Sequence, residues 1–330
     1  MKKIVIWGHP FGSHTHSYVN AGFYKAFKFL GYETHWFHDQ SHPTQTKPLW
    51  EIPGEDLVVF TEGFADKQLP VVRGGTYFVH CCPNPNKYIN CGARLIDTRW
   101  CDIWHKDHVY DYVLDKTKAI KIGPACYLEP KTNNKINYKN DYYNYICDDY
   151  DKFYLTWATN LLPHEFNFED INHPRQNEIN FCGNISPNGR CENYSTMKPF
   201  IDECNKNGIA FNHNDPFANP LSDEEVIRRT KSSILGVDIR GPEHLRNGYV
   251  PCRVFKNISY GHLGMTNSEE VYKELDGNCI INHDTAQLFH DGMNNRHNLS
   301  RIRDGMKYVQ ENHTFINRVK SMMEVVNEYK

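Results

Sequence analysis

The stretch from Ile4 to Phe37 restricts the fold more than any other part of the chain. Ile4-Val5-Ile6-Trp7 is a short unbroken apolar run, the mark of a parallel strand buried on both faces. A polar loop from Gly8 to His16 follows. Val19, Phe23, Phe27 and Leu30 then recur at spacings of four, four and three, which draws one apolar stripe along a helix. Gly31 ends that helix, and Glu33 to Phe37 begins a second strand. Strand, loop, helix and strand in that order predict a doubly wound sheet, with ligands beyond the carboxyl ends of its strands.

The same punctuation recurs downstream. Leu57 to Phe60 runs into Thr61-Glu62-Gly63, and Thr76 to Val79 runs into His80. Ala119 to Gly123 reads as a further strand, and residues 131–151, rich in Asn, Tyr and Asp, as a surface loop or hairpin. The pattern restarts at Glu178 to Asn184. A helix is predicted from Met197 to Asn207, a strand at Ile209 to Phe211, and a helix through Arg229 opened by the Ser222/Glu225 capping box. Strands follow at Ser233 to Val237 and Leu263 to Thr266, with a helix from Cys252 to Tyr260 between them, started at Pro251 and stopped at Gly261. Ile302, Met306, Val309, Ile316, Val319, Met323 and Val326 keep helical spacing, so the chain closes on a long helix, in one piece or two. The expected architecture is α/β, with two Rossmann-like domains facing a cleft. They span residues 1–165 and 166–330, and the last helix packs back toward the first domain.

Composition narrows the class. At 330 residues the chain has length for two domains and a large core. With 37 Lys+Arg against 40 Asp+Glu the net charge is −3, which argues against a nucleic-acid coat and counts against nucleic acid as a partner. No apolar run reaches the roughly 18 residues of a membrane span, or the roughly 7–15 of a secretory signal. The 11 cysteines are odd in number and lack any CxxC pair, so reduced thiols and a cytoplasmic setting are expected. Abundant Asn, Lys, Ile and Tyr are associated with an AT-rich genome, viral or small bacterial.

The densest chemistry lies between Asp238 and Gly261. A strand ends, a polar loop follows, and a helix begins after Pro251, where unpaired N–H groups and the helix dipole suit a phosphate. Arg253, Lys256 and Asn257 share a helical face, and Arg240 and Arg246 precede them, so four cations converge on one anion site. Departure of a diphosphate needs such charge compensation. The competing reading is an amphipathic helix whose basic residues pair with nearby acids.

Pro251-Cys252-Arg253-Val254-Phe255-Lys256-Asn257, with the turn Gly261 to Asn267, resembles the donor-binding segment of GT-B glycosyltransferases, especially the CgeB-like and exostosin-like groups. Trp157 to Pro163 is similar to a segment those proteins carry near the interdomain crossing, and Gly12 to His16 stands where they have their first loop. The resemblance implies a first domain that binds an acceptor and a second that binds a nucleotide-sugar. It also implies metal-independent sugar transfer to a glycan, protein or other hydroxyl, with no cofactor beyond the donor substrate. Its donor contacts would be Arg240, His244, Tyr249, Arg253, Lys256, Asn257, Gly183, Asn184, Thr266 and Asn267. Lys256 stands where many relatives place a ribose-binding Glu; a Lys cannot accept those hydroxyl hydrogen bonds. The alternatives are a nucleotide-sugar epimerase of the same fold and a non-catalytic nucleotide-binding protein.

An inverting transfer needs a base beyond a strand end, for which the candidates are His14, His16, Glu62 and His80, with Asp238 at the matching position of the second domain. Asp148-Asp149-Tyr150-Asp151 sits in a turn-rich loop rather than at a strand end, and is read as hydrated loop. The 18 histidines include no zinc spacing: His105 and His108 have no second pair, and HExxH is absent. No metal site is expected.

Overall fold

The computed structural model describes residues 2–10, 13–14, 16–99, 119–131, 150–186, 193–216 and 218–329. The chain forms two compact units, one of Met1–Thr156 with Phe315–Lys330, the other of Trp157–Thr314. The expected boundary at 165/166 thus falls at 156/157, at the head of the Trp157-to-Pro163 segment, and the chain returns to the first unit at Phe315.

The first unit runs β1 (Lys3–Trp7), α1 (Ser17–Phe29), β2 (Glu33–Phe37), α2 (Pro43–Trp50), β3 (Leu57–Glu62), β4 (Thr76–His80), α3 (Asn86–Ile89), β5 (Arg94–Arg99), β6 (Ile120–Gly123), β7 (Cys126–Glu129) and β8 (Asp151–Leu155). Its sheet has the order β2-β1-β3-β4-β5-β8-β7-β6. The first six strands in that order are parallel, and β7 and β6 extend the edge antiparallel. Both faces are buried, which explains the unbroken apolar runs. Val5, Trp7, Val59, Tyr77 and Val79 belong to one core. On the other face Phe23 of α1 packs on Phe60 with ring centroids 4.3 Å apart. Asp151, the last residue of the acidic run, heads β8 and holds Arg94 at 2.8 Å; Asp148 and Asp149 lie outside the described residues, as do Gly12, His105 and His108.

The second unit runs β9 (Glu178–Cys182), α4 (Tyr194–Lys206), β10 (Ala210–Asn214), α5 (Asp223–Ser232), β11 (Gly236–Asp238), α6 (Pro242–Arg246), α7 (Cys252–Ser259), β12 (Gly264–Thr266), α8 (Glu269–Glu274), β13 (Cys279–Ile281), α9 (Thr285–Asn295) and α10 (Leu299–Asn312). β10 pairs with β9, β11 with β12, and β12 with β13, all parallel. Ile234 N donates to Glu178 O at 2.8 Å, and Asn180 N to Ser233 Oγ at 2.8 Å, which seams β9 alongside the segment entering β11. The first unit opens with the doubly wound order 2-1-3-4-5, whose switch point lies between the first and third strands, and the second sets its two sheets, β10-β9 and β11-β12-β13, side by side in the same order along that seam. Ser222 caps α5 by accepting from Glu225 N, as the sequence predicts. Ser268 caps the helix after β12 by accepting from Val271 N.

The closing helical pattern breaks in two. α10 covers the core of the second unit through Ile302, Met306 and Val309. α11 (Phe315–Glu328) returns to the first unit, where Phe315 meets Phe23 at 4.9 Å. Gly22 admits that ring, because a Cβ there would overlap it. Buried Arg318 then ties α11 down: Nε donates to Thr156 O at 3.0 Å, Nη1 to Pro124 O at 2.8 Å and Nη2 to Thr156 Oγ1 at 2.8 Å. The cysteines among the described residues are free thiols, and no described helix is long and apolar enough to cross a membrane.

Replacing Arg318 by Met keeps much of the bulk but leaves three buried acceptors without this donor. The expected loss is about 3 kcal/mol, read as a lower urea midpoint for the first unit.

Candidate functional site

In the second unit the candidate residues gather where the strand order reverses, at the carboxyl ends of β9 and β11. Asp238, the last residue of β11, is fully buried and carries the negative charge of the cluster. Arg240 donates to it through Nε at 3.0 Å and through Nη2. Arg253, on the first turn of α7, donates from Nη1 to Asp238 Oδ1 at 3.3 Å and from Nε to Cys182 O at 3.1 Å. Its guanidinium lies 4.1 Å from the Phe181 ring centroid, a cation–π contact. Gly183 leaves room beside it, because a Cβ at that position would overlap Arg253 Nη2 unless the guanidinium shifted. Asn267 brackets the loop after β11: its Oδ1 accepts from Arg240 N at 2.8 Å, and its Nδ2 donates to Arg240 O at 2.9 Å.

α7 enters with Pro251 as its N-cap residue and no side chain capping its first turn, so the N–H groups there are available to an anion. Lys256 follows one turn on, half-buried. Arg240, Arg253 and Lys256 outnumber Asp238 and the Asp223 carboxylate whose charge also reaches Lys256. Burial, and then the Arg240 charge, pull Arg253 below the usual arginine range, and burial does the same to Lys256. His244 is pushed down to about 4 by burial and by Arg240 and Arg253, and so stays neutral. Its ring lies 4.9 Å from Tyr249, whose face lies 5.4 Å from the Arg240 guanidinium. A net-positive cluster at a helix N-terminus is suited to a phosphate or diphosphate.

Other expected contacts turn out to be structural. Asn257 points to the sheet and donates to Val237 O at 3.4 Å, so it anchors α7 rather than sharing the cationic face. Thr266 is buried and accepts from Ser268 N at 3.1 Å. Asn184 offers its carbonyl to Asn193 Nδ2 at 2.9 Å. Arg246 is exposed at the end of α6. Sequence reasoning missed Phe181, which carries the Arg253 guanidinium, and Asn193, which folds the Gly183 loop by also accepting from Ser186 N at 3.0 Å. The alternating pattern of β9 identifies Phe181 as inward-facing, but nothing in it marks the cation above.

The first unit builds a different constellation at its own switch point, between β1 and β3. Glu62 ends β3, fully buried, with Oε1 3.1 Å from His16 Nδ1. Its Oε2 is buried and has no hydrogen-bond partner among the described residues. His80 ends β4, with its ring 6.3 Å from that of His16. Burial holds His80 well below the usual histidine range, with the charges of His16 and Arg99 acting the same way, so it is neutral. His14 stacks on His9 at 4.3 Å, and Phe64 lies 5.3 Å from His16. Burial, then His16 and His9, lower the His14 pKa. The structure thus brings Glu62, His14, His16 and His80 together, and leaves Asp238 in a separate ion-paired role. Among the described residues no group of three or more His, Cys, Asp or Glu is arranged to hold a metal.

No protein-family model matches the chain, and no curated protein matches it by sequence. One solved structure shares the fold: an alpha-glucosyltransferase in complex with UDP-glucose and DNA containing an abasic site. It aligns with a TM-score of 0.57 at 9% identity, over 99% of this chain and 100% of that one. The fold is GT-B, as the order of elements implied.

Two measurements test this description. Asp238→Asn removes the carboxylate between two buried arginines, and a loss of about 3–5 kcal/mol is expected in the unfolding of the second unit. The pH dependence follows from His80, His244 (about 4) and His262 (about 3), all depressed by burial. Below the unfolded value near 6.5 the unfolded chain binds more protons, so stability is complete above that pH and declines as pH falls toward 4. The melting temperature should therefore drop between pH 7 and pH 5, and His244→Asn should flatten the slope.

Proposed function

We propose that this chain is a glycosyltransferase that takes its sugar from a nucleotide-sugar bound by the Trp157–Thr314 unit. The observation that carries the reading is the net-positive cluster of Arg240, Arg253 and Lys256 around the open N-terminus of α7. The solved neighbour, which holds UDP-glucose on the same fold, supports it. In this reading Arg253, Lys256 and the first N–H groups of α7 hold the diphosphate and neutralise the charge that grows on it as the bond to the sugar breaks. Tyr249 and His244 wall the pocket, and Gly183 lets Arg253 approach. These cations do the work that a divalent metal does in metal-dependent transferases, so transfer should survive excess EDTA. The CgeB-like and exostosin-like grouping rests on sequence resemblance, at Pro251 to Asn267, Trp157 to Pro163 and Gly12 to His16.

Acceptor activation is assigned to Glu62, with His16 orienting it. The free Oε2 takes the proton of an acceptor hydroxyl as that oxygen bonds to the anomeric carbon and the diphosphate leaves. The net charge of −3 argued against nucleic acid, yet the neighbour is bound to DNA, so a DNA hydroxyl is tested beside glycan and protein hydroxyls.

A thermal-shift screen against UDP-, GDP-, CMP-, ADP- and dTDP-sugars is the first test. One nucleotide should stabilise the wild type, by about 2.7 kcal/mol at 100 times its Kd, and Arg253→Ala should abolish the shift. Glu62→Gln should keep the shift and lower kcat for transfer by about 10²-fold or more. Sugar altered or released without any acceptor would favour an epimerase instead, and loss of the shift in no variant would remove the donor site.

A further inference from the structure

The second unit has a concavity at the opposite ends of its strands from Asp238. It has a volume of about 480 Å3 and is lined by the segments around Ile171–Arg175, Ile234–Gly236, Gly261–Leu263 and Arg296–Ile302. Gly236 begins β11 and Leu263 directly precedes β12, so this pocket lies at the amino ends of the strands whose carboxyl ends carry the candidate donor site. Its size is that of a small-molecule site.

The electrostatics of the pocket are unbalanced. Arg175, Arg296, His173, His262 and His297 line it, and none of its described lining residues is acidic. Arg175 is half-buried, and its guanidinium spends its hydrogen bonds on neutral groups: Nη2 donates to Gly261 O at 2.7 Å and to Asp170 O at 3.1 Å, and Nη1 to Lys231 O. The Asp170 carboxylate, whose charge reaches Arg175, is held by Lys231 Nζ at 2.7 Å. Arg296 donates to Met293 O. Neither guanidinium forms an ion pair with a carboxylate among the described residues, and burial lowers Arg175 to about 10. His262 donates from Nε2 to Thr230 O at 2.6 Å and stays neutral. The remaining wall is apolar, from Ile234, Leu235, Leu263, Leu299 and Ile302.

We propose that this pocket is a second ligand site, which takes a small organic phosphate monoester: the phosphate against Arg175 and Arg296, a compact apolar body against the isoleucine and leucine wall. Guanidinium forks match phosphate oxygens, and a half-buried cation that forms no ion pair gains from such a partner. The proposal stands independently of the sugar-transfer reading.

Calorimetric titration of the intact protein with phenyl phosphate tests it, with benzyl alcohol as the uncharged control. One phenyl phosphate should bind. Arg296→Gln, and separately Leu299→Glu at the exposed rim, should each weaken it at least tenfold, while Arg253→Ala leaves it unchanged. Absence of binding to the wild type overturns the proposal. So does binding that is lost in Arg253→Ala but kept in both pocket variants, which would place the phosphate in the donor site. Benzyl alcohol binding as tightly as phenyl phosphate overturns it as well, leaving only an apolar hole.

Discussion

One carboxylate organises the chemistry of the second unit. Asp238 is fully buried at the end of a three-residue strand, and its desolvation is tolerated because two guanidinium groups face it. From that arrangement the neighbouring features follow. Arg253 must lean across β9 to reach it, through the room that Gly183 leaves and over the flat face of Phe181. Arg240 must arrive at a set angle, and Asn267 supplies it by clamping the backbone of that residue from both sides. Asp238 therefore acts as the fixed counter-charge that positions cations for a ligand. A proton-transfer role, weighed from its place at a strand end, would require it to give up the ion pairs that make its burial possible.

The unit built from the N-terminal half uses its switch point differently. Glu62 has an orienting hydrogen-bond partner in His16, whose ring lies near that of neutral His80, and an oxygen left over. Two copies of one sheet topology thus end in opposite electrostatics, cationic in one and a buried carboxylate among imidazoles in the other. Topology selects where a site lies, and only side chains decide what it does.

Much of this was legible in the sequence where the information is local. Strand ends such as Glu62, His80 and Asp238 follow directly from apolar runs broken by polar residues, and the Ser222 cap needs only four residues to declare itself. Asn257 shows the limit of such reasoning. A four-residue offset puts it near Arg253 around the helix, but which side of that arc meets β11 depends on how α7 docks. The stripe from Ile302 to Val326 likewise has one unbroken period, and no pattern of spacing tells that its first half covers one core and its second half another. The Arg175 pocket was invisible for a related reason: four segments more than a hundred residues apart at their extremes build it, and none carries a motif.

The return of α11 to the first unit bears on how the molecule comes into being. A ribosome releases Met1–Thr156 long before Phe315, yet Gly22, Phe23, Pro124 and Thr156 all await partners on that helix. The leading unit therefore completes its packing only after the second has been synthesised, although leading domains generally fold first. Trp157–Thr314 can close its own core while the leading sheet still exposes the face that α11 will cover. In the cell that interval is when the first unit depends most on chaperones, and its length is set by the time needed to translate the second.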